Sequence, residues 1–192
     1  GNVWAQDGIK HARHTAKLLD LKIPIHLGAQ RPLVHTQQAA KAAGPVEFRG
    51  AFDIPEPRRR RETAVDFLID ILKREPQPVT ILALGPLTNI AQALERDPSI
   101  AAKIKRLVIM GGQVHVPGNS TAAAEFNFWF DPEAADRVLR HSAIRDKILV
   151  PLDVCNHAVI TKSHFDRLIT RRSPIANLYR QSFGNDYPGF LK

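Results

Sequence analysis

Val79-Thr80-Ile81-Leu82-Ala83-Leu84-Gly85-Pro86-Leu87-Thr88-Asn89-Ile90-Ala91-Gln92-Ala93-Leu94 is the stretch whose reading decides the fold. Val79 to Leu84 is an unbroken apolar run of strand length, which predicts a buried parallel strand rather than one with a solvated face. Pro76 and Pro78 separate it from the helical pattern before it. Gly85-Pro86 follows, placing Pro86 at the favoured first helical position. Leu87, Ile90, Ala91 and Leu94 then recur at the spacing of a core-facing stripe. A buried strand turns tightly into a helix here.

The same alternation extends in both directions. Towards the C-terminus, a short helix after Pro98 leads to the apolar strand Leu107 to Met110, which halts at Gly111-Gly112. Asp131-Pro132 reads as N-cap and first residue of a further helix, with Ala134, Ala135, Val138 and Leu139 inward. Ile148 to Val150 is the next strand, and Pro151 marks its end. Towards the N-terminus, Ala64, Val65, Leu68, Ile69 and Leu72 form a helical stripe, and Pro24 to Leu27 reads as a short strand ending at Gly28. Ile9, Ala12, Ala16 and Leu19 predict an amphipathic helix over about residues 6 to 20. Gly28 to Arg61 is punctuated by Pro and Gly and has no strong period, as in a loop that forms a binding rim. Strand and helix alternate, so the predicted fold is α/β, with a mainly parallel central sheet flanked by helices and right-handed crossovers. Ligands of such sheets sit beyond the carboxyl ends of the strands, which directs attention to the residues after Leu84, Met110 and Pro151.

Composition narrows the function classes. The chain has 192 residues, 44% of them hydrophobic, and reads as a single domain. No run approaches the roughly 18 to 20 apolar residues of a membrane-spanning helix, so no membrane partner is expected. The first residues lack the basic-then-apolar pattern of a secretory signal. The single cysteine, Cys155, rules out an intrachain disulfide and a Cys-x-x-Cys site, and is read as a small buried hydrophobe. A net charge of +8 invites a nucleic-acid reading, but only Arg58 to Arg61 form a basic run. The other basic residues are spread along helix faces, and no nucleic-acid-binding motif is present, so no nucleic-acid partner is expected.

Two segments carry candidate chemistry. After Met110 comes Gly111-Gly112-Gln113-Val114-His115-Val116-Pro117-Gly118-Asn119, and further on Glu125-Phe126-Asn127. In an extended segment Glu125 and Asn127 project from one face, where an acceptor carboxylate and a donor-acceptor amide together satisfy a sugar diol. The plainer reading is a polar loop that caps the helix at Asp131. The second segment is Leu84-Gly85, where the Leu84 carbonyl at the strand's end is a ligand for a hard cation such as Ca²⁺. Its plainer reading is an ordinary strand-to-helix turn. The Gly-x-Gly-x-x-Gly fingerprint of dinucleotide sites is missing.

Taken in order, Ala83-Leu84-Gly85-Pro86-Leu87-Thr88-Asn89-Ile90-Ala91, Val108-Ile109-Met110-Gly111-Gly112, Gly118-Asn119 and Ala124-Glu125-Phe126-Asn127 ahead of Asp131-Pro132-Glu133-Ala134-Ala135 resemble the inosine-uridine-preferring nucleoside hydrolases. Gly1-Asn2 and Gly28-Ala29-Gln30-Arg31-Pro32-Leu33 resemble two further segments of that family. The resemblance covers most of the chain and weakens beyond about His157. It implies a nucleoside-hydrolase-like, Rossmann-like topology and cleavage of the N-glycosidic bond of ribonucleosides to free base and ribose. It implies that Asn127 contacts the 2'- and 3'-hydroxyl side of the ribose, and that Asn119 and Glu125 hold the 5'-hydroxyl. Met110 and Phe126 would line the nucleoside pocket, Asn2 would lie near the sugar, and the Leu84 carbonyl would bind a catalytic Ca²⁺.

Three departures qualify it. The family's Asp-x-Asp-x-x-x-Asp-Asp motif, source of metal ligands and the base that activates water, is absent, and so is its later His-Asp pair. Ala43-Gly44 and Glu47-Phe48-Arg49-Gly50 occupy the region where many members place His-Gly-x-Asp-Gly over the base. The expectation is therefore that residues 1–192 form a single partial nucleoside hydrolase domain, an incomplete fold with no catalytic residue of its own and no ribohydrolase activity by itself. The alternative is a non-catalytic sugar-binding remnant. The resemblance further implies a homo-oligomer when intact, in the cytoplasm, with a small-molecule ribonucleoside as its partner.

Overall fold

The computed structural model of the chain describes residues 5–34 and 63–183. Helix α1 spans Ala5–Leu18, close to its expected bounds. Helix α2 spans Ala64–Arg74 and opens with a capping box, in which the Thr63 hydroxyl accepts from Asp66 N and the Asp66 carboxylate accepts from Thr63 N. Strand β1 is Val79–Ala83, α3 is Thr88–Arg96, a 3-10 turn covers Pro98–Lys103, and β2 is Ile104–Met110. There follow α4 Phe126–Phe130, α5 Pro132–Arg140, β3 Lys147–Val150, α6 Leu152–Cys155, α7 Lys162–Ile169 and α8 Pro174–Phe183.

The three strands form one parallel sheet in the order β1-β2-β3. Ile81 pairs with Leu107, and Ala83 with Ile109, which in turn pairs with Leu149. These residues share a face, because side chains alternate along a strand. Helices α2, α3 and α5 pack there through Leu72, Ile90, Leu94, Ala134 and Val138, and together with Leu107 and Ile109 they make the core. Truncating a fully buried member such as Leu72 to Ala costs about 2–5 kcal/mol.

Four expectations need correction. Val79 to Leu84 is not buried on both faces: Leu82 is 61% exposed, because among the described residues the core helices cover only the face that carries Ile81 and Ala83. Pro24 to Leu27 is not a strand. It has no ladder partner among the described residues and is held instead by Leu27 O, which accepts from Ala64 N at 2.9 Å, and by His26 stacked on Phe67. Pro86 precedes the helix rather than opening it, since Leu87 is the N-cap and the Ala91 N–H already bonds the Leu87 carbonyl at 2.9 Å. Cys155 is only half-buried, in the single turn of α6. Most of the Gly28 to Arg61 loop, with the Arg58 to Arg61 run and the Ala43 to Gly50 segment, lies outside the described residues.

Candidate functional site

Strand β2 delivers Met110 to the carboxyl edge of the sheet, and Gly111-Gly112 turns the chain there. A methyl group on Gly111 would stand 2.5 Å from Cε1 of Phe128, and Gly112 adopts φ 73°, so the turn accepts the Phe128 ring only with glycine at both positions. The Gly111 N–H reaches Val150 O at 3.3 Å, and Leu152 N–H reaches Gly112 O at 3.0 Å, fastening the turn to the end of β3.

Glu125 sits beneath this turn and is 1% exposed. Its carboxylate accepts from Gly112 N at 2.9 Å, Asn127 N at 2.8 Å and Phe128 N at 3.1 Å, so it caps α4 and grips the glycine turn together. The extended reading of Glu125-Phe126-Asn127 is therefore corrected. A helix begins at Phe126, and Glu125 folds forward onto its first N–H groups instead of standing beside Asn127.

The neighbouring side chains tie the loop to itself. Gln113 accepts from Glu125 N at 2.8 Å and donates to Ala123 O at 2.6 Å. Asn119 Oδ1 accepts from Phe126 N at 2.8 Å, and Gly118 passes so close to Ala124 that a methyl group would lie 2.2 Å from its carbonyl oxygen. Asn127, 8% exposed, donates through Nδ2 to Met110 O and to Met110 Sδ, each at 3.1 Å. The ring of Phe126 is half-buried, 6.2 Å from Trp129 and 6.0 Å from Phe130. Met110, Asn119, Glu125, Phe126 and Asn127 thus converge on one loop. A cavity of about 430 Å³ opens on its β3 flank, lined by Gly112, Gln113, Glu125, Phe128, Trp129 and Leu149 among others.

Leu84 follows Ala83, whose partner Ile109 precedes Met110, so Leu84 and Met110 leave adjacent strands at the same level. Leu84 is 68% exposed. Asn2 lies outside the described residues. The Leu84 carbonyl offers one oxygen where Ca²⁺ takes about six to eight. Among the described residues no group of three or more His, Cys, Asp or Glu is gathered to hold a metal. The residues described do not by themselves fit that cation.

Two carboxylates escaped the sequence reading as organisers. Asp131, 0% exposed and expected only to cap a helix, accepts from Ala134 N at 3.1 Å, Thr88 Oγ1 at 2.6 Å and Leu33 N at 3.0 Å. Asn89 holds the same incoming loop by accepting from Ala29 N at 2.7 Å, and a methyl group on Gly28 would stand 2.9 Å from its Nδ2. Asp153 accepts from Val114 N at 2.9 Å and His115 N at 2.8 Å. The one sequence signal for it was its place just after the β3 carboxyl end.

A family model described as inosine-uridine preferring nucleoside hydrolase matches residues 1–188. The chain belongs to the inosine-uridine preferring nucleoside hydrolase family. The match extends past His157, beyond which the motif resemblance weakens. The chain is 37% identical over 170 residues to the non-specific ribonucleoside hydrolase RihC of Escherichia coli, which covers 88% of the chain and 55% of RihC. Among solved structures it resembles an inosine-guanosine nucleoside hydrolase, with a TM-score of 0.81 and 28% identity over 96% of this chain and 62% of that one. A purine-preferring ribonucleoside hydrolase from Gardnerella vaginalis gives a TM-score of 0.77 and 26% identity over 95% and 59%. These hydrolases share the parallel sheet flanked by helices. The chain spans between 47% and 60% of the length of the first curated relatives it matches. No helix among the described residues is long and apolar enough to cross a membrane.

Proposed function

We propose that the protein is a ribonucleoside hydrolase, cleaving the N-glycosidic bond to free base and ribose, and that this chain supplies the wall that holds the sugar. The observation that carries the reading is the convergence of Met110, Asn119, Glu125, Phe126 and Asn127 on the loop beyond β2, at the edge where parallel sheets bind ligands. Family membership supports it.

The hydrogen bonds already made define what each group has left to offer. Asn127 spends its Nδ2 donor on Met110, leaving Oδ1 to accept from the 2'- and 3'-hydroxyl side. Asn119 spends Oδ1 on Phe126 N, leaving its NH₂ to donate to the 5'-oxygen. Glu125 uses three of about four acceptor positions on backbone N–H groups, and the remaining one accepts the 5'-hydroxyl. Met110 and Phe126 contribute apolar surface, and the family resemblance assigns Asn2 to the sugar as well. Held from both ends, the ribose is presented to water as the bond to the base breaks and positive charge develops at the anomeric carbon and ring oxygen.

The family reading carries further expectations of a cytoplasmic homo-oligomer, a small-molecule ribonucleoside as substrate and Ca²⁺ at the Leu84 carbonyl. The described residues alone do not complete a cation site. The test is release of free base from inosine and uridine by the protein expressed from its own gene. Release abolished by Asn127→Ala supports the proposal, and no release from any ribonucleoside contradicts it. For residues 1–192 assayed alone, no release is expected.

A further inference from the structure

The Gly111 to Pro117 loop leaves the sheet between two carboxylates. Glu125 takes the Gly112 amide and belongs to the proposed sugar site. Asp153 lies across the loop, on the α6 turn that follows β3. Its Oδ2 accepts from Val114 N at 2.9 Å, and its Oδ1 from His115 N at 2.8 Å, so each oxygen holds one of two consecutive amides at the loop's exposed tip. Both oxygens are given to another segment's backbone. The bond from Val114 N, followed by that from His115 N, holds the Asp153 carboxyl below the usual carboxylate range, so the group is charged at neutral pH.

The rest of the loop is fixed downstream. Gln113 is clamped to Ala123 and Glu125, and Asn119 to Phe126, which places Val114 to Gly118 as a span between two anchored ends. Among the described residues, the charge-assisted bonds to Asp153 are those that bear on its middle, and such bonds are shorter and stronger than neutral ones.

We propose that Asp153 is a positioning residue of the nucleoside site: it pins the Val114–His115 tip to the end of β3 and thereby sets the approach of Asn119 to the sugar. The inference rests on the ribonucleoside hydrolase reading for its consequence, but not for the grip itself. Asp153 gives both oxygens to backbone amides of the loop, so its loss falls on binding rather than on the bond-breaking step.

The experiment has two arms. Amide hydrogen exchange in the protein expressed from its own gene, without substrate, should show Val114 and His115 protected. In Asp153→Ala both should exchange about tenfold faster or more, while Gly112, held by Glu125, keeps its protection. Asp153→Asn retains a single acceptor oxygen, so one of the two amides should stay protected. In the protein expressed from its own gene, Asp153→Ala should raise KM for inosine about three- to tenfold while kcat changes by less than about twofold. Unchanged exchange at both amides, or released amides with an unchanged KM, overturns the proposal. A wild-type protein that releases no base contradicts the hydrolase reading, whereas the exchange arm judges the grip of Asp153 on its own.

Discussion

Asp131 and Glu125 are both buried carboxylates, both cap helices and both accept three hydrogen bonds, yet they do different work. The partners of Asp131 come from the loop at Leu33, from α3 at Thr88 and from its own helix at Ala134. Those of Glu125 all lie between Gly112 and Phe128, within a single excursion of the chain. One carboxylate joins separate elements and the other shapes one loop. A buried acid is thus assigned by the sequence separation of its partners: wide separation marks a joint of the fold, and narrow separation marks a shaped surface.

The largest effect should come from breaking the joint. Asp131→Ala orphans the Leu33 N–H, the Thr88 hydroxyl and the Ala134 N–H, and should lower the unfolding free energy by about 3 kcal/mol or more, read from denaturant unfolding. A loss below about 1 kcal/mol would erase the contrast. On the other side, Gly118→Ala drives a methyl group into the Ala124 carbonyl and should cost about 1–3 kcal/mol. Its effect should concentrate in faster amide exchange over 112–128, with the 28–34 loop unaffected.

The smallest effect belongs to a surface cap that joins nothing buried. Asp66, bonded first by the Thr63 hydroxyl and then by Arg96, has its pKa lowered from 3.8 to about 2. Because the folded value lies below the unfolded one, its contribution is complete above 3.8 and is lost as pH falls from there towards about 2. Melting temperature should therefore drop more steeply across that window in the wild type than in Asp66→Asn, with the two curves parallel at neutral pH.

The fold was legible where chemistry is local. The Val79 to Leu94 run, the Gly111-Gly112 stop and Asp131-Pro132 follow from propensity and turn chemistry, and the structure agrees with them in type. Pro24 to Leu27 misled because a strand is defined by its neighbour, and an apolar tetrapeptide does not say whether a ladder waits for it. The candidate residues Met110, Asn119, Glu125, Phe126 and Asn127 were legible as a set, since the family motifs bring them onto one loop. Their division of labour was not: Glu125 and Asn127 look like a matched pair in sequence, and only the short helix at Phe126 shows the carboxylate folded forward onto backbone N–H groups. The roles of Asp131 and Asp153 depend on contacts between residues distant in sequence, such as Leu33 with Asp131 and Val114 with Asp153, which periodicity does not report.

The loop beyond β2 is proposed to hold ribose with the acceptor capacity left over from its own bracing. The most direct test is kcat/KM for inosine and 5'-deoxyinosine in the wild-type protein, expressed from its own gene, and in Glu125→Ala. Loss of bracing should slow both substrates by a common factor. Loss of the bond to the 5'-hydroxyl, a charge-assisted bond of roughly 1.5 to 3 kcal/mol, should cost inosine a further factor of about 10 to 200. The ratio between the two substrates separates that contact from damage to the loop. A ratio that collapses in Glu125→Ala is the expected result, and equal slowing of both substrates would contradict it, leaving Glu125 a brace alone.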